Sequence, residues 1–312
     1  MKTKTIIPIL CFLSCIILLT TGGCKKSSTN TSTNSNNTSP QQVIADANNF
    51  RSATFGAMYD VNTILSQVTT KSSESLPCNI ILDSSAVSSD TITYTVIFNG
   101  PNCDGTAGRT GQIQIRKDVT RPWKNAGSMV IVIFQNFRVV NSFTTDTVTI
   151  NGKESLENLS GGKLSQLGNG LTFVSHRDWG VVYVTFNGNV TVQWNIARQQ
   201  VYMGTVGQLI LRTSGFATQN GYTNIAEWGL TRYGNIFYDQ FPGYVEHWEA
   251  CYWHPASGIN MIWIPAILGR LTSTYGYDDN HQPVSGNTCP TTFQVDWLLE
   301  GNSGTFYMQL YP

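Results

Sequence analysis

Ten residues near the C-terminal end, Glu246 to Pro255, read EHWEACYWHP and bring together two histidines, two glutamates, a cysteine and three aromatics. Imidazole and carboxylate groups serve metal ligation and acid–base catalysis, so chemistry is sought here first. Read as a strand, the segment sends alternate side chains to opposite faces. Glu246, Trp248, Ala250, Tyr252 and His254 then share one face, and His247, Glu249, Cys251 and Trp253 share the other. On that reading the two histidines point apart and cannot ligate one ion. His247 and Glu249 could face one together, but a third ligand would have to come from elsewhere, so no metal is expected. HExxH, GxSxG, the P-loop and the dinucleotide fingerprint are all absent from the sequence, and no cofactor is expected.

Glycoside hydrolysis needs only two carboxylates across a cleft and leaves little trace in a sequence. Asp239, Glu246, Glu249, Asp278, Asp279, Asp296 and Glu300 are available for it. The polar loop GYDDNHQP, Gly276 to Pro283, lacks the twelve-residue EF-hand pattern and reads as a turn-rich connection. The aromatics are more suggestive. Trp228, Trp248, Trp253, Trp263 and Trp297 all fall in the last third of the chain. Flat rings with polar neighbours suit sugar rings, which makes Trp248, Tyr252 and Trp253 the candidate ligand-binding residues. Core packing is the commoner fate of such side chains. Two classes of function follow: a non-enzymatic binding or structural role, which the sequence favours, and a glycan hydrolase with a carboxylate pair.

The elements that must position these residues are almost all strands. Residues 41–67 are the exception. Val43, Ala47, Phe50, Met58, Val61 and Leu65 recur at three-to-four-residue steps, which predicts a helix with one apolar stripe, lying against the β domain or over an open edge of it. Beyond it, alternating runs such as DTITYTVIFNG and GQIQIRK recur with Gly, Asn or Pro between them. SMVIVIFQNFRVV, Ser128 to Val140, is nearly continuous in apolar residues and reads as a strand buried on both faces. Asn187-Gly188 between two alternating runs predicts a hairpin. The fold expected is all-β: an antiparallel β-sandwich or curved β-meander with one N-terminal α-helix. The β-rich part spans 68–312 and could divide into two subdomains, near 68–203 and 204–312.

The first forty residues read as an export signal and a tether. Lys2 and Lys4 precede the apolar run IIPILCFLSCIILL, which ends in TTGGC. Small residues before a cysteine resemble a bacterial lipobox, with a signal peptide over 1–23 and Cys24 as the lipidated first residue of the mature chain. Thr21 departs from that pattern, which prefers Leu. The resemblance implies acyl chains, palmitate among them, and several chains hold a protein on a membrane stably. Residues 24–40 are then the lipidated cysteine and a flexible polar tether of Ser, Thr and Asn. Lys25, where an Asp would signal inner-membrane retention, points to the outer membrane of the cell envelope, with the leaflet open.

Lys and Arg number 19, as do Asp and Glu, and charged residues are only 12% of the chain. A balance near zero with no basic run excludes nucleic acid as the expected partner. The partners expected are the membrane, through the lipid, and a glycan or envelope protein. With the signal segment and Cys24 set aside, four cysteines remain: Cys78, Cys103, Cys251 and Cys289. An even number in an oxidising compartment predicts two disulfides. Cys78–Cys103 and Cys251–Cys289 are the favoured pairs because each falls within one local set of strands. In the chain-entropy model, loops of that size stabilise by about 3.5–4 kcal/mol each.

Gly100 to Ile115, GPNCDGTAGRTGQIQI, resembles a segment of a Bacteroidota lipoprotein family in which a strand passes through a Cys- and Gly-rich turn into an alternating strand. Cys251, Ser257-Gly258, Tyr275-Gly276 and Cys289 follow in that family's order. The resemblance covers roughly residues 90–310. It implies a lipid-anchored β-rich domain and carries no activity.

Overall fold

The computed structural model describes residues 38–67, 76–87 and 90–310, the side chains of 84–87 excepted. The expected signal peptide, Cys24 and the expected tether up to residue 37 lie outside the described residues. From Thr38 onward the chain is one compact unit. Helix α1 runs from Pro40 to Gln67. Ser39 caps it, its hydroxyl accepting from the Gln42 amide at 3.3 Å, and Pro40 stands where a missing N–H costs nothing. No helix of the described residues is long and apolar enough to cross a membrane.

Among the described residues sixteen antiparallel strands follow in a single sheet. The first seven are β1 (Ile80–Val87), β2 (Thr91–Pro101), β3 (Ala107–Asp118), β4 (Ser128–Asn141), β5 (Thr147–Asn158), β6 (Phe173–Phe186) and β7 (Val190–Thr205). These pair in sequence order as a meander. Next come β8 (Gln208–Gly215), β9 (Ala217–Gln219), β10 (Tyr222–Leu230), β11 (Ile236–Gln240) and β12 (Val245–Trp248). The last four are β13 (Pro255–Ile264), β14 (Gly269–Tyr277), β15 (Thr292–Leu299) and β16 (Asn302–Gln309). This is the curved all-β meander with one N-terminal helix that the alternating runs predict.

The sheet forks at β7. Trp194 to Ile196 pair with β10, while Arg198 to Thr205 pair with β8. The branches rejoin at β13, whose first residues pair with β12 and whose later ones pair with β11. Because β7 runs through residue 203 and joins both sides, the sheet continues across that point. The hairpin between β6 and β7 turns at Asn187 and Gly188, both at positive φ. Curvature comes from bulges. The β3–β4 register shifts between Thr110 and Gln112, where Gly111 has φ of 89° and a Cβ would lie 2.0 Å from the Asn136 carbonyl oxygen. An extra residue in one strand bends and twists the pair, and only glycine tolerates so close an approach.

The helix is not laid on the outside of this sheet. The sheet curls round it. Trp194 of β7, Phe237 of β11 and Ile262 of β13 join Phe50, Met58, Val61 and Ile64 of α1 in one core. The apolar stripe is real, but other sides of the helix are buried too: Arg51, Thr54, Asp60 and Asn62 are also shielded from solvent. Strand β4 departs from its expected double burial in the opposite direction. Val130 and Val132 are buried while Met129 and Ile131 face out, at 47% and 37% exposed. A continuous apolar run therefore alternates like any other half-buried strand. Disulfides join Cys78 to Cys103 and Cys251 to Cys289, the favoured pairing.

Candidate functional site

A helix enclosed by a sheet must satisfy its polar side chains without water. Strands β5, β6, β7, β10, β11, β13 and β14 supply an inward row for this purpose: Glu154, Asp178, Arg198, Glu227, Asp239, Asn260 and Ser273, all buried. Arg198 donates to Glu227 Oε1 through Nε at 3.0 Å and Nη2 at 2.6 Å, and to the Thr54 hydroxyl of α1 at 3.0 Å. Arg51 of α1 is paired with Asp239 and lies 3.4 Å from Glu227. Asn260 donates to the other Asp239 oxygen at 3.0 Å. These bonds fix the rotation of the helix about its axis.

That rotation leaves one stripe of α1 partly uncovered. Ala45, Asn48, Asn49, Ser52, Gly56, Tyr59 and Thr63 recur at helical spacing and are the incompletely buried positions along it after Gln42. They are small or polar. A Cβ on Gly56 would meet nothing within 4 Å. Over the stripe lie two adjoining hollows of about 390 and 180 Å³, which share Asn49, Ser52, Phe55, Asn141, Asp146, Trp253, His254 and Leu310 in their walls. The larger falls within the size range of small-molecule sites. Its walls mix rings (Phe55, Phe241, Trp253, Tyr275) with amides and hydroxyls (Asn48, Asn49, Ser52, Asn141, Thr144, Gln309).

The EHWEACYWHP segment forms part of this wall, and not as one strand. Strand β12 ends at Trp248, a 3-10 turn covers Glu249–Cys251, and Tyr252 and Trp253 follow with φ of 55° and 62°. Two successive non-glycine residues in the left-handed region store backbone strain, which persists only where surroundings enforce it and gathers at functional sites. Here Cys251 is tied to Cys289, Trp253 packs on Tyr59 and Tyr202, and the Trp253 amide donates to the Trp248 carbonyl at 2.9 Å. The turn reverses the expected facing. His247 and His254, predicted to point apart, line the same hollow. Trp248 shares the far side of β12 with Glu246, which takes Arg212 at 2.7 Å. Tyr252 is 54% exposed beside the smaller hollow, and Trp253 stands in both. The three candidate aromatics therefore form no single platform; two of them border the cleft.

Burial lowers the His247 pKa to about 3 and that of His254 to about 4, so both rings are uncharged at neutral pH. Asp60, in the smaller hollow, is raised to about 6 by burial against the pull of its partner Arg109. Asp146 accepts from Asn187 at 3.2 Å. None of the seven carboxylates considered for glycan hydrolysis stands in either wall. Asp239 is inside the polar row, Glu249 accepts from the Tyr59 hydroxyl at 3.2 Å, and Asp278 caps its own loop by accepting from the Asn280 and Gln282 amides. Among the described residues no group of His, Cys, Asp and Glu is arranged to hold a metal ion. Apolar periodicity in α1 does not reveal this stripe. The complementary small and polar positions carry it. No family model, curated protein or solved structure matches this chain.

Proposed function

We propose that this chain is a lipid-anchored protein of the cell envelope, held in the outer membrane through Cys24, whose cleft over α1 binds a neutral saccharide without breaking a bond in it. The observation that carries the reading is the uncovered stripe of an otherwise enclosed helix. A buried element that exposes only small and polar residues, under a hollow walled by rings and amides, suits a hydroxylated ligand. Rings pack on the apolar faces of a sugar, and amides meet its hydroxyls. The two guanidiniums in the walls, Arg51 and Arg109, are paired with Asp239 and Asp60, and His247 and His254 are held uncharged, so the described walls offer no unpaired cation to an acidic ligand. The carboxylates that do stand in the walls are each engaged by the protein, Asp60 by Arg109, Asp104 by Thr106 and Asp146 by Asn187, which favours binding over cleavage.

Calorimetric titration of the soluble domain against a panel of neutral oligosaccharides, with uronate- and sulfate-bearing counterparts, tests the ligand class. Binding confined to neutral members is expected; silence across all of them overturns the saccharide reading. Palmitate incorporation into the full chain, abolished by Cys24→Ser, tests the anchor.

A further inference from the structure

We propose that Asn48 is the specificity-determining residue of the cleft, its Nδ2 donating to the carbonyl oxygen of an acetamido group, so that the saccharides bound here are N-acetylated amino sugars. The inference rests on the binding reading above and names the substituent that the cleft selects. Asn48 lies on the open stripe of α1, is half-buried and stands in the wall of the larger hollow. Its amide has one orientation. Arg51 Nη1 lies 3.0 Å from Oδ1, and a guanidinium only donates, so the atom facing it must be the oxygen. The Tyr275 hydroxyl lies 3.4 Å from the same oxygen. Arg51 belongs to the enclosed side of the helix, so the other arm of the amide, Nδ2, diverges from that side. Nδ2 has no hydrogen-bond partner among the described residues, and it is not one of the polar atoms sealed from solvent.

A second amide is fixed in the same way. Asn141, at the end of β4, stands in the walls of both hollows, and its Oδ1 accepts from the Phe143 and Thr144 amides at 2.9 and 3.2 Å. Donors held in one orientation favour a ligand group that only accepts and oppose one that presents its own N–H. A carboxylate also only accepts, but the Asp146 carboxylate in the same wall repels it. The apolar part of the wall decides between a carbonyl and a hydroxyl. Phe55, Phe241, Val245, Met308 and Leu310 line the same hollow. A hydroxyl would meet the donor and leave that surface against water. An acetamido group brings a carbonyl for the amide and a methyl for the apolar wall.

The test is calorimetric titration with β-linked oligomers of N-acetylglucosamine and of glucose, which differ only in the substituent at the second ring carbon. The wild-type protein is expected to bind the N-acetylated oligomer at least about tenfold more tightly. Asn48→Asp keeps an oxygen for Arg51 and turns the free donor into an acceptor; with its unfolding midpoint unchanged, it should bind the two oligomers equally. Nitrogen-15 NMR of the wild-type protein gives a readout independent of how the variant folds. The Asn48 side-chain amide resonance should move on titration with the N-acetylated oligomer and stay in place with the glucose oligomer. Equal wild-type affinity for the two, an Asn48 resonance that does not move, or a folded Asn48→Asp protein that keeps the preference overturns this inference while leaving the chain a binder of neutral saccharides. Failure of the wild-type protein to bind any neutral oligosaccharide overturns both.

Discussion

The two sides of helix α1 solve opposite problems. On the side that the inward polar row covers, water is excluded, and Arg51 and Thr54 are bound by Asp239, Glu227 and Arg198. On the open side, the stripe from Ala45 to Thr63 holds amides, hydroxyls and a glycine, and no charged side chain. Burial and function explain the contrast together. Charge is tolerated inside only when paired, and the pairs orient the helix. Small uncharged groups outside leave room and hydrogen-bonding capacity for a ligand. The enclosed side fixes the geometry that the open side uses.

Breaking the enclosed side should have the largest effect. Arg198 is fully buried beside Glu227 and Asp178, and removing it takes the nearby cation from Asp178 and leaves Glu227 with Arg51 alone, at 3.4 Å. Arg198→Met is expected to destabilise by about 3–5 kcal/mol, measured by urea unfolding. A loss below about 1 kcal/mol would show that the row does not hold the helix.

A smaller effect follows from the acids of the same row. Four carboxylates face two guanidiniums there. Burial, reinforced by neighbouring acids, raises Glu154 to about 8 and Asp178 to about 7. Each holds its proton more tightly folded than unfolded, so the native state binds more protons between the ordinary and raised values, and stability falls as pH rises. Below about pH 6.5 the buried neutral histidines act in the other direction, because the unfolded chain then takes up protons that His176, His247 and His254 refuse. The window from pH 6.5 to 8.5 therefore isolates the acids. Stability should drop there by on the order of 2 kcal/mol, and Glu154→Gln should flatten most of the slope. A flat wild-type profile contradicts the raised acids.

The smallest effect lies on the open side. Gly56 sits mid-helix with open space where a Cβ would go. Gly56→Ala should raise stability by about 0.5–1 kcal/mol, read as a higher denaturation midpoint. A destabilised variant would mean that the hollow over the helix is closed in solution.

How far these regions could be read in advance differs for a physical reason. Strand alternation, the Asn187-Gly188 turn and the local pairing of Cys78–Cys103 and Cys251–Cys289 are short-range signals, and the fold class follows from them. The enclosure of α1 is not local. Its apolar residues at 43, 47, 50, 58, 61 and 65 predict a buried stripe, yet Arg51 and Asp60 carry no sign that Asp239 and Arg109, far along the chain, will meet them. The same limit hid the cleft. EHWEACYWHP reads as a strand because alternation cannot register two aromatics in the left-handed region, and that turn brings His247 and His254 to one hollow. Periodicity names an element; only tertiary closure decides which of its faces is left open.

The most direct test of the open stripe as the binding site is a titration of Ser52→Trp. Ser52 is exposed on α1 and stands in the walls of both hollows. An indole there should fill the space above the helix and abolish binding of the neutral oligosaccharide that the wild-type protein binds, with stability unchanged to within about 0.5 kcal/mol. Binding at wild-type strength by the folded Ser52→Trp protein would contradict the account and place the ligand elsewhere.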